Sequence, residues 1–438
     1  MAEAKVSLVS SRAPAAAAAL AYDNAAPHSR LPPLGWSSWV ALGAGAATRA
    51  ASPPSFDYCD EPSALLSIDA FFAVGLFAAG YRHFHLDDCW ADAERTAEGE
   101  LQPDRTRFPR GLRALVDYAH ARGLSFGLYT CAGSLTCVGG RPGSKGRWEQ
   151  DAATLAGWGV DVVKMDWCHT EGMAPEETYA KMSAALNATG RHIHFNLCEW
   201  GRASPWEWGG AIAQSWRVAA DHTPIWQSTR RAIEARSAIP PAAGGRPYAW
   251  NDMDMLQTGN YRQAAHANGQ EGNMTATEYR TEFSLWAVLA SPLIVTTPLL
   301  NCSSNDQIAH AFTPAACRPS ITPLQREILL NTEVLAVNQD VTPAGRLLSN
   351  ATAAALIYAR NLSDGSVALA LYNPTDAPAA ASVAFSSLGW SGRAAAAARD
   401  LWRREDLGVG VGRWPPEGAV RLAPHATLLL RLTSRPEA

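Results

Sequence analysis

A chain of 438 residues with 47% hydrophobic and 18% charged positions has the composition of a globular protein, with room for two domains or for one large barrel and an appendage. Its net charge of −4, without a run of Lys or Arg, lacks the basic footprint that nucleic acid or an anionic membrane surface requires, so neither is an expected partner. The longest apolar stretch, 285–300, is broken by Pro292 and Pro298 and falls short of the ~20 residues of a membrane span.

Residues 1–19 are Ala-rich, interrupted by Pro14, and lack a clean apolar run; they read as a lead that is either a degenerate signal segment or plain chain. From residue 20 to 341, segments of strand and helix character alternate, the pattern of βα units around a parallel sheet. Eight strands are predicted, at 31–39, 83–88, 125–132, 161–167, 192–200, 214–221, 248–256 and 291–297. Apolar Ile68, Phe71, Phe72 and Leu76 predict a helix over 68–80, and Leu112, Leu115, Val116 and Ala119 one over 112–123. Both end in Gly, a common helix stop. Two further helices are predicted at 278–289 and 324–337. Eight such units over about 320 residues fit an α/β fold of the (β/α)8 TIM barrel type, with an open doubly wound sheet as the alternative. No G-x-G-x-x-G follows the first strand, which weighs against a dinucleotide site. Past Asn338-Gln339-Asp340 the pattern changes to short strands at 355–361, 367–373, 382–385, 396–402 and 427–433, parted by Gly, Pro, Asn and Asp. That spacing predicts a small antiparallel β-sandwich over 342–438. No cluster of acids interrupts it, so packing or weak carbohydrate contact is its expected role.

The fourth predicted strand lies in WGVDVVKMDWC, residues 158–168. Val160, Val162 and Val163 form a buried run, after which Lys164 and Asp166 share one face of the strand at its C-terminal end. Two readings are open: a structural ion pair, because charges on a buried strand need each other, or a catalytic carboxylate at a barrel mouth. The other strand ends bear on the choice. They carry Trp36 and Trp39, then Asp87-Asp88-Cys89-Trp90, Tyr129, Cys198-Glu199-Trp200, Arg217 with Asp221, and Asn251-Asp252-Met253-Asp254. Carboxylates, one Lys, one Arg and several Trp converging on one concavity suit a sugar, since acids chelate hydroxyls while indoles stack on the apolar face of the ring. No cofactor is implied. A metal is the rival reading, but the acids are interleaved with Lys164, Arg217 and Trp rather than His, and no H-E-x-x-H or calcium loop occurs; no metal is expected.

The eight cysteines fit neither a zinc pattern nor a redox C-x-x-C. Five N-x-S/T sequons begin at Asn187, Asn273, Asn301, Asn350 and Asn361. With the cysteines they predict a secretory-route protein, outside the cell or in a lysosome or vacuole.

The motifs PPLGWSSW, HLDDCW, FPRGLRALVDYAHARGLSFGLYTCAG, WGVDVVKMDWC, CEWG, SWRVAAD, WNDMDML, EYRTEFSLWAVLASPL and EVLAVNQD run in order through the first three quarters of the chain. Together they resemble glycoside hydrolase family 27, the α-galactosidases and α-N-acetylgalactosaminidases. The resemblance implies a retaining exo-glycosidase that hydrolyses terminal α-D-galactose by double displacement, with Asp166 as nucleophile and Asp221 as acid/base. It further implies sugar-binding roles for Trp39, Asp87, Asp88, Tyr129, Lys164, Glu199, Arg217 and Asp254. Glu199, with Arg217, would bind the 2-hydroxyl and exclude a 2-acetamido group. Disulfides Cys59–Cys89 and Cys137–Cys168 follow from it too; Cys302–Cys317 is expected as a third pair within its own insertion, which leaves Cys131 and Cys198 as free thiols. Expected partners are α-galactoside oligosaccharides or glycoconjugates, with a homodimer left open. α-N-acetylgalactosaminidase and β-L-arabinopyranosidase are the alternative activities on this scaffold, and a non-catalytic sugar-binding protein is the third reading. Cys131, Trp167 and Met253 depart from the family pattern and bear on the pocket wall. Lys164 is expected to favour ionised Asp166, while Trp36, Trp200 and Trp226 are candidates for an apolar wall that keeps Asp221 protonated.

Overall fold

The computed structural model describes residues 23–42, 59–260, 264–265, 270–302, 317–348 and 354–435. Eight strands, β1 (Leu34–Ser37), β2 (His83–Leu86), β3 (Ser125–Cys131), β4 (Val162–Asp166), β5 (His194–Cys198), β6 (Ser215–Arg217), β7 (Trp250–Asp252) and β8 (Leu293–Val295), form one parallel sheet in the order β8-β1-β2-β3-β4-β5-β6-β7. A parallel bridge between Leu256 and Val295 joins its two edges, so the sheet closes into a barrel and no edge is left unpaired. Every predicted strand is found. Each is shorter than predicted because its flanking polar residues belong to the turns that leave the barrel.

The connecting helices are α1 (Glu61–Ala73), α2 (Gly111–His120), α3 (Trp148–Gly157), α4 (Pro175–Ala188), α5 (Trp226–Ala238) and α6 (Ala276–Val288). Their starts are chemically marked. Asp60 caps α1 through Ser63 N, and Thr275 with Glu278 forms a reciprocal capping box on α6. After β8 follow α7 (Pro323–Leu329) and α8 (Thr332–Asn338), the latter capped by Asn331.

The interior of the barrel is polar at its lower end. His83 meets Ser125 Oγ at 2.6 Å, and His194 meets Ser29 Oγ and Ser215 Oγ at 3.0 and 2.8 Å. Glycines make room beside two histidines of this layer: a Cβ on Gly35 would lie 2.4 Å from His83 Cβ, and one on Gly127 would lie 2.3 Å from His85 Nδ1. Above this layer the strand register sets Cys131, Asp166 and Cys198 in one row across β3, β4 and β5.

Past Arg346 the chain forms a six-stranded antiparallel sheet in the order Arg346–Leu347, Leu356–Asn361, Val367–Tyr372, Thr427–Arg435, Ala395–Asp400, Glu405–Val411. Two small ladders, Ala379–Ala381 with Val420–Leu422 and Val383–Ala384 with Arg413–Trp414, contribute to a second apolar core beside it. The strand at Glu405–Val411 escaped prediction because glycines separate its alternating Leu407, Val409 and Val411, and glycine is disfavoured in strands. Helix α6 is the shared wall. Its Ser284 Oγ accepts from Trp402 Nε1 at 2.8 Å, its Thr281 Oγ1 donates to His425 O, and Trp226 stacks on His425 with centroids 4.3 Å apart. Arg360, fully buried, donates to the carbonyls of Ala287, Val337, Asn338, Asp340, Thr342 and Pro343.

Candidate active site

A pocket of about 500 Å³ opens at the C-terminal end of the barrel strands, where catalytic residues gather in this architecture. Nine of the ten residues expected there line it: Trp39 after β1, Asp87 and Asp88 after β2, Tyr129 on β3, Lys164 and Asp166 on β4, Arg217 and Asp221 at β6, and Asp254 after β7. The exception is Glu199, which the structure places behind the pocket wall rather than on it. Its carboxylate folds back onto its own loop, where it accepts from Ala203 N at 2.8 Å and is reached by the backbone N–H groups of Arg202 and Gly201. Trp200 takes the place on the pocket wall instead, turned by a left-handed backbone (φ 61°) and covered by the Arg202 guanidinium 4.5 Å from its ring.

The floor is ionic. Lys164 Nζ donates to Asp87 Oδ2 at 2.9 Å, with His85 Nε2 on the same oxygen side at 3.6 Å. Burial alone would raise Asp87, but the ammonium and the ring outweigh it and hold this carboxyl well below the carboxylate range. Its neighbour Asp88 behaves oppositely. Burial pushes it up to about 6 despite a bond from Val138 N at 2.8 Å, and the Asp87 charge adds to the rise.

Asp166 Oδ1 accepts from Trp167 N at 2.9 Å. Burial raises this carboxyl to about 7; Lys164 opposes the rise and the charge of Asp221 adds to it. The expected ionising effect of Lys164 is therefore present but smaller than the cost of burying the charge, because Nζ is spent on Asp87. Asp221 lies at the mouth with its side chain 54% exposed, held by Arg217 Nη2 at 3.1 Å. The same nitrogen reaches Asp254 Oδ2 at 3.0 Å, and Nη1 donates to Cys198 Sγ at 3.5 Å.

The wall between Asp88 and Asp166 is the disulfide Cys137–Cys168. It anchors a loop whose Val138 N binds Asp88 and whose Cys137 N donates to Tyr129 Oη at 3.2 Å. Among the described residues, the one His, Cys, Asp or Glu cluster with metal-like spacing is Cys137, Asp166 and Cys168, and its two sulfurs are already bonded to each other. A second disulfide, Cys59–Cys89, ties the start of α1 to the end of β2; Cys317 is disulfide-bonded as well, and the backbone of Cys302 lies opposite it in register. Cys131 and Cys198 are free and buried, and burial pushes the Cys131 thiol up to about 12.

None of the three departures from the family pattern lines the pocket. Trp167 stacks on Tyr179 at 5.2 Å, Met253 is buried, and Cys131 Sγ donates to Cys168 O. Of the three Trp considered as an apolar wall, only Trp200 is at the pocket. Trp36 is in the barrel core, bonded to Thr297 O, and Trp226 faces the sandwich. His222, Met255 and Gln257 also line the pocket without having been anticipated. His222 could have been found from its adjacency to Asp221.

The family described as Alpha galactosidase A matches residues 31–340, and the one described as Alpha galactosidase C-terminal beta sandwich domain matches 352–432. The chain is 35% identical to an alpha-galactosidase of Cyamopsis tetragonoloba over 92% of its length and 86% of that protein. It is 38% identical to alpha-galactosidase A of Cellvibrio japonicus over 71% of this chain and 68% of the other. The fold is similar to the crystal structure of alpha-galactosidase I from Mortierella vinacea, with a TM-score of 0.76 at 28% identity, covering 92% and 97% of the two chains. The matches span barrel, pocket and sandwich alike, and by them the chain belongs to the alpha-galactosidase A family of glycoside hydrolases, glycoside hydrolase family 27.

Proposed function

We propose that the protein is a retaining exo-α-galactosidase acting on terminal α-D-galactose of oligosaccharides or glycoconjugates. The observation that carries this reading is the juxtaposition, in one small pocket, of the Lys164–Asp87 pair and Asp88 with the two carboxyls Asp166 and Asp221. Asp87, Asp88 and Lys164 offer acceptors and a donor for adjacent hydroxyls of one sugar ring, and a ring with an inverted centre would leave buried charges without partners. A pocket rather than an open groove admits a chain end.

Asp166 attacks the anomeric carbon while Asp221 gives a proton to the departing oxygen; water, deprotonated by Asp221, then releases the sugar. The pair must carry one proton in total, on Asp221 when attack begins. Lys164 and Trp167 N–H favour the charge on Asp166. Arg217 is anchored on Asp254 as well as on Asp221, so it keeps a partner when Asp221 turns to the leaving oxygen. Hydrolysis of 4-nitrophenyl α-galactoside tests the activity. Proton NMR of the first product must show α-galactose, and Asp166→Asn must lower kcat by about three orders of magnitude or more without unfolding the protein. A β-anomer as first product, or near-normal turnover of the variant, overturns the reading.

A secretory-route origin belongs to the same proposal. Sequon residues Asn187, Asn273, Asn301 and Asn361 are exposed, while Asn350 lies outside the described residues. Among the described residues no helix is long and apolar enough to cross a membrane. A mass shift on endoglycosidase treatment of the natural protein checks the sequons.

A further inference from the structure

Behind the mouth of the pocket lies a buried acid–imidazole pair that the reaction described above leaves unused. Glu282, in the middle of α6, and His222, the residue after Asp221, are both without solvent exposure, and His222 Nε2 lies 2.7 Å from Glu282 Oε1. The same carboxylate oxygen accepts from Gln257 N at 3.0 Å, while Gln257 Nε2 donates to His222 O at 3.1 Å. On the other edge of the ring, Nδ1 is 3.1 Å from Ser228 Oγ, which accepts from Thr223 N at 3.0 Å. Ser228 Oγ–H is thereby free to point at Nδ1, which puts the ring proton on Nε2, facing the carboxylate. Trp286 closes one face of the imidazole with centroids 5.3 Å apart.

This clamp acts on the backbone next to Asp221. The main-chain N of His222 donates to Asp254 Oδ2 at 2.6 Å, the oxygen that also accepts from Arg217 Nη2, and Arg217 Nη2 in turn holds Asp221. Asp221 itself is at the exposed mouth, on a chain leaving β6, so its direction depends on this turn as well as on Arg217. An acid buried on a barrel helix costs free energy that an apolar side chain there would not, so a role in packing alone accounts poorly for it. We infer that Glu282 and His222 are positioning residues for the acid/base: the pair fixes the 221–223 turn and so aims the Asp221 carboxyl at the leaving oxygen.

The inference rests on Asp221 being the acid/base, and that is tested apart from it: Asp221→Ala must lose poor leaving groups most and regain turnover of an activated substrate with azide. With that established, the pair is replaced by His222→Leu with Glu282→Leu, which removes both polar partners together and leaves neither stranded. The kcat/KM for an alkyl α-galactoside, whose departure needs protonation, should fall about 10- to 100-fold, while kcat/KM for a 2,4-dinitrophenyl α-galactoside stays within about 3-fold, because kcat/KM reads the first step alone and there its leaving group departs unprotonated. Ser228→Ala and Glu282→Gln, milder changes that keep the volume, should show the same dependence on leaving group in smaller measure. They decide the question if the double variant does not fold. Equal losses on both substrates, or no loss on either in folded variants, would overturn the role.

Discussion

Glu199 shows how a strand end misleads. Alternation along β5 is legible in the sequence and correctly runs to Cys198, but the chain leaves the strand there. The positive φ at Trp200 re-aims the next side chain, so periodicity no longer tells which of Glu199 and Trp200 faces the sugar. The acids at positions 87, 88, 166 and 254 were easier, because each interrupts an apolar run. The consequence is a revised expectation for specificity at C2. Glu199→Ser removes the acceptor for three backbone N–H groups and loosens Trp200, so kcat/KM on 4-nitrophenyl α-galactoside should drop about 10-fold, without any gain on the 2-acetamido analogue. A gain on that analogue would return Glu199 to the sugar. Burial raises Glu199 to about 7 against the pull of those N–H groups. Its contribution to stability is therefore complete below its ordinary value near 4.5 and is lost as pH rises through 7.

Among the elements, the barrel strands were readable because buried parallel strands are near-continuous apolar runs bounded by turn residues. The polar layer inside the barrel was not. His83, His85 and His194 look like interruptions in sequence, and only closure shows that glycines on neighbouring strands admit the first two and that Ser29 and Ser215 flank the third. Burial lowers His194 to about 3 from 6.5, so its contribution to stability is fully present above pH 6.5 and lost as pH falls toward 3. His194→Asn should shrink the difference in unfolding free energy between pH 7 and pH 4.5 by about 2–3 kcal/mol, read from urea midpoints at the two pH values. The loop 134–142 is the other element with a definite role, since it reaches Asp88 and Tyr129 and is tied by the Cys137–Cys168 bridge to the end of β4. Replacing both cysteines by Ser should raise KM about 10-fold with a smaller loss in kcat, because the loop must then be ordered at the expense of binding. An unchanged KM would show that the loop is held by other contacts.

At the scale of the whole molecule, barrel and sandwich share helix α6 and one continuous apolar core. The fold class and the change of architecture near residue 340 could be read from the change in period, but the depth of the joint could not, because no pattern in the sequence marks Arg360 as buried. It sits on the first long strand of the sandwich and binds six carbonyls from the ends of α6 and α8 and from the linker. Those of Ala287, Val337 and Asn338 are acceptors that a helix end cannot satisfy by itself. Arg360→Met should cost at least about 3 kcal/mol of stability, seen as a lower urea midpoint with KM unchanged; an unaltered midpoint would mean that water replaces the guanidinium. During synthesis the consequence is one of order. A ribosome delivers the barrel before the strand that carries Arg360, so α6 and α8 emerge with C-terminal carbonyls unpaired and one flank of α6 bare. The nascent barrel must wait for the sandwich before it is finished, and a chain stopped at the linker would be an aggregation-prone fragment rather than a smaller enzyme.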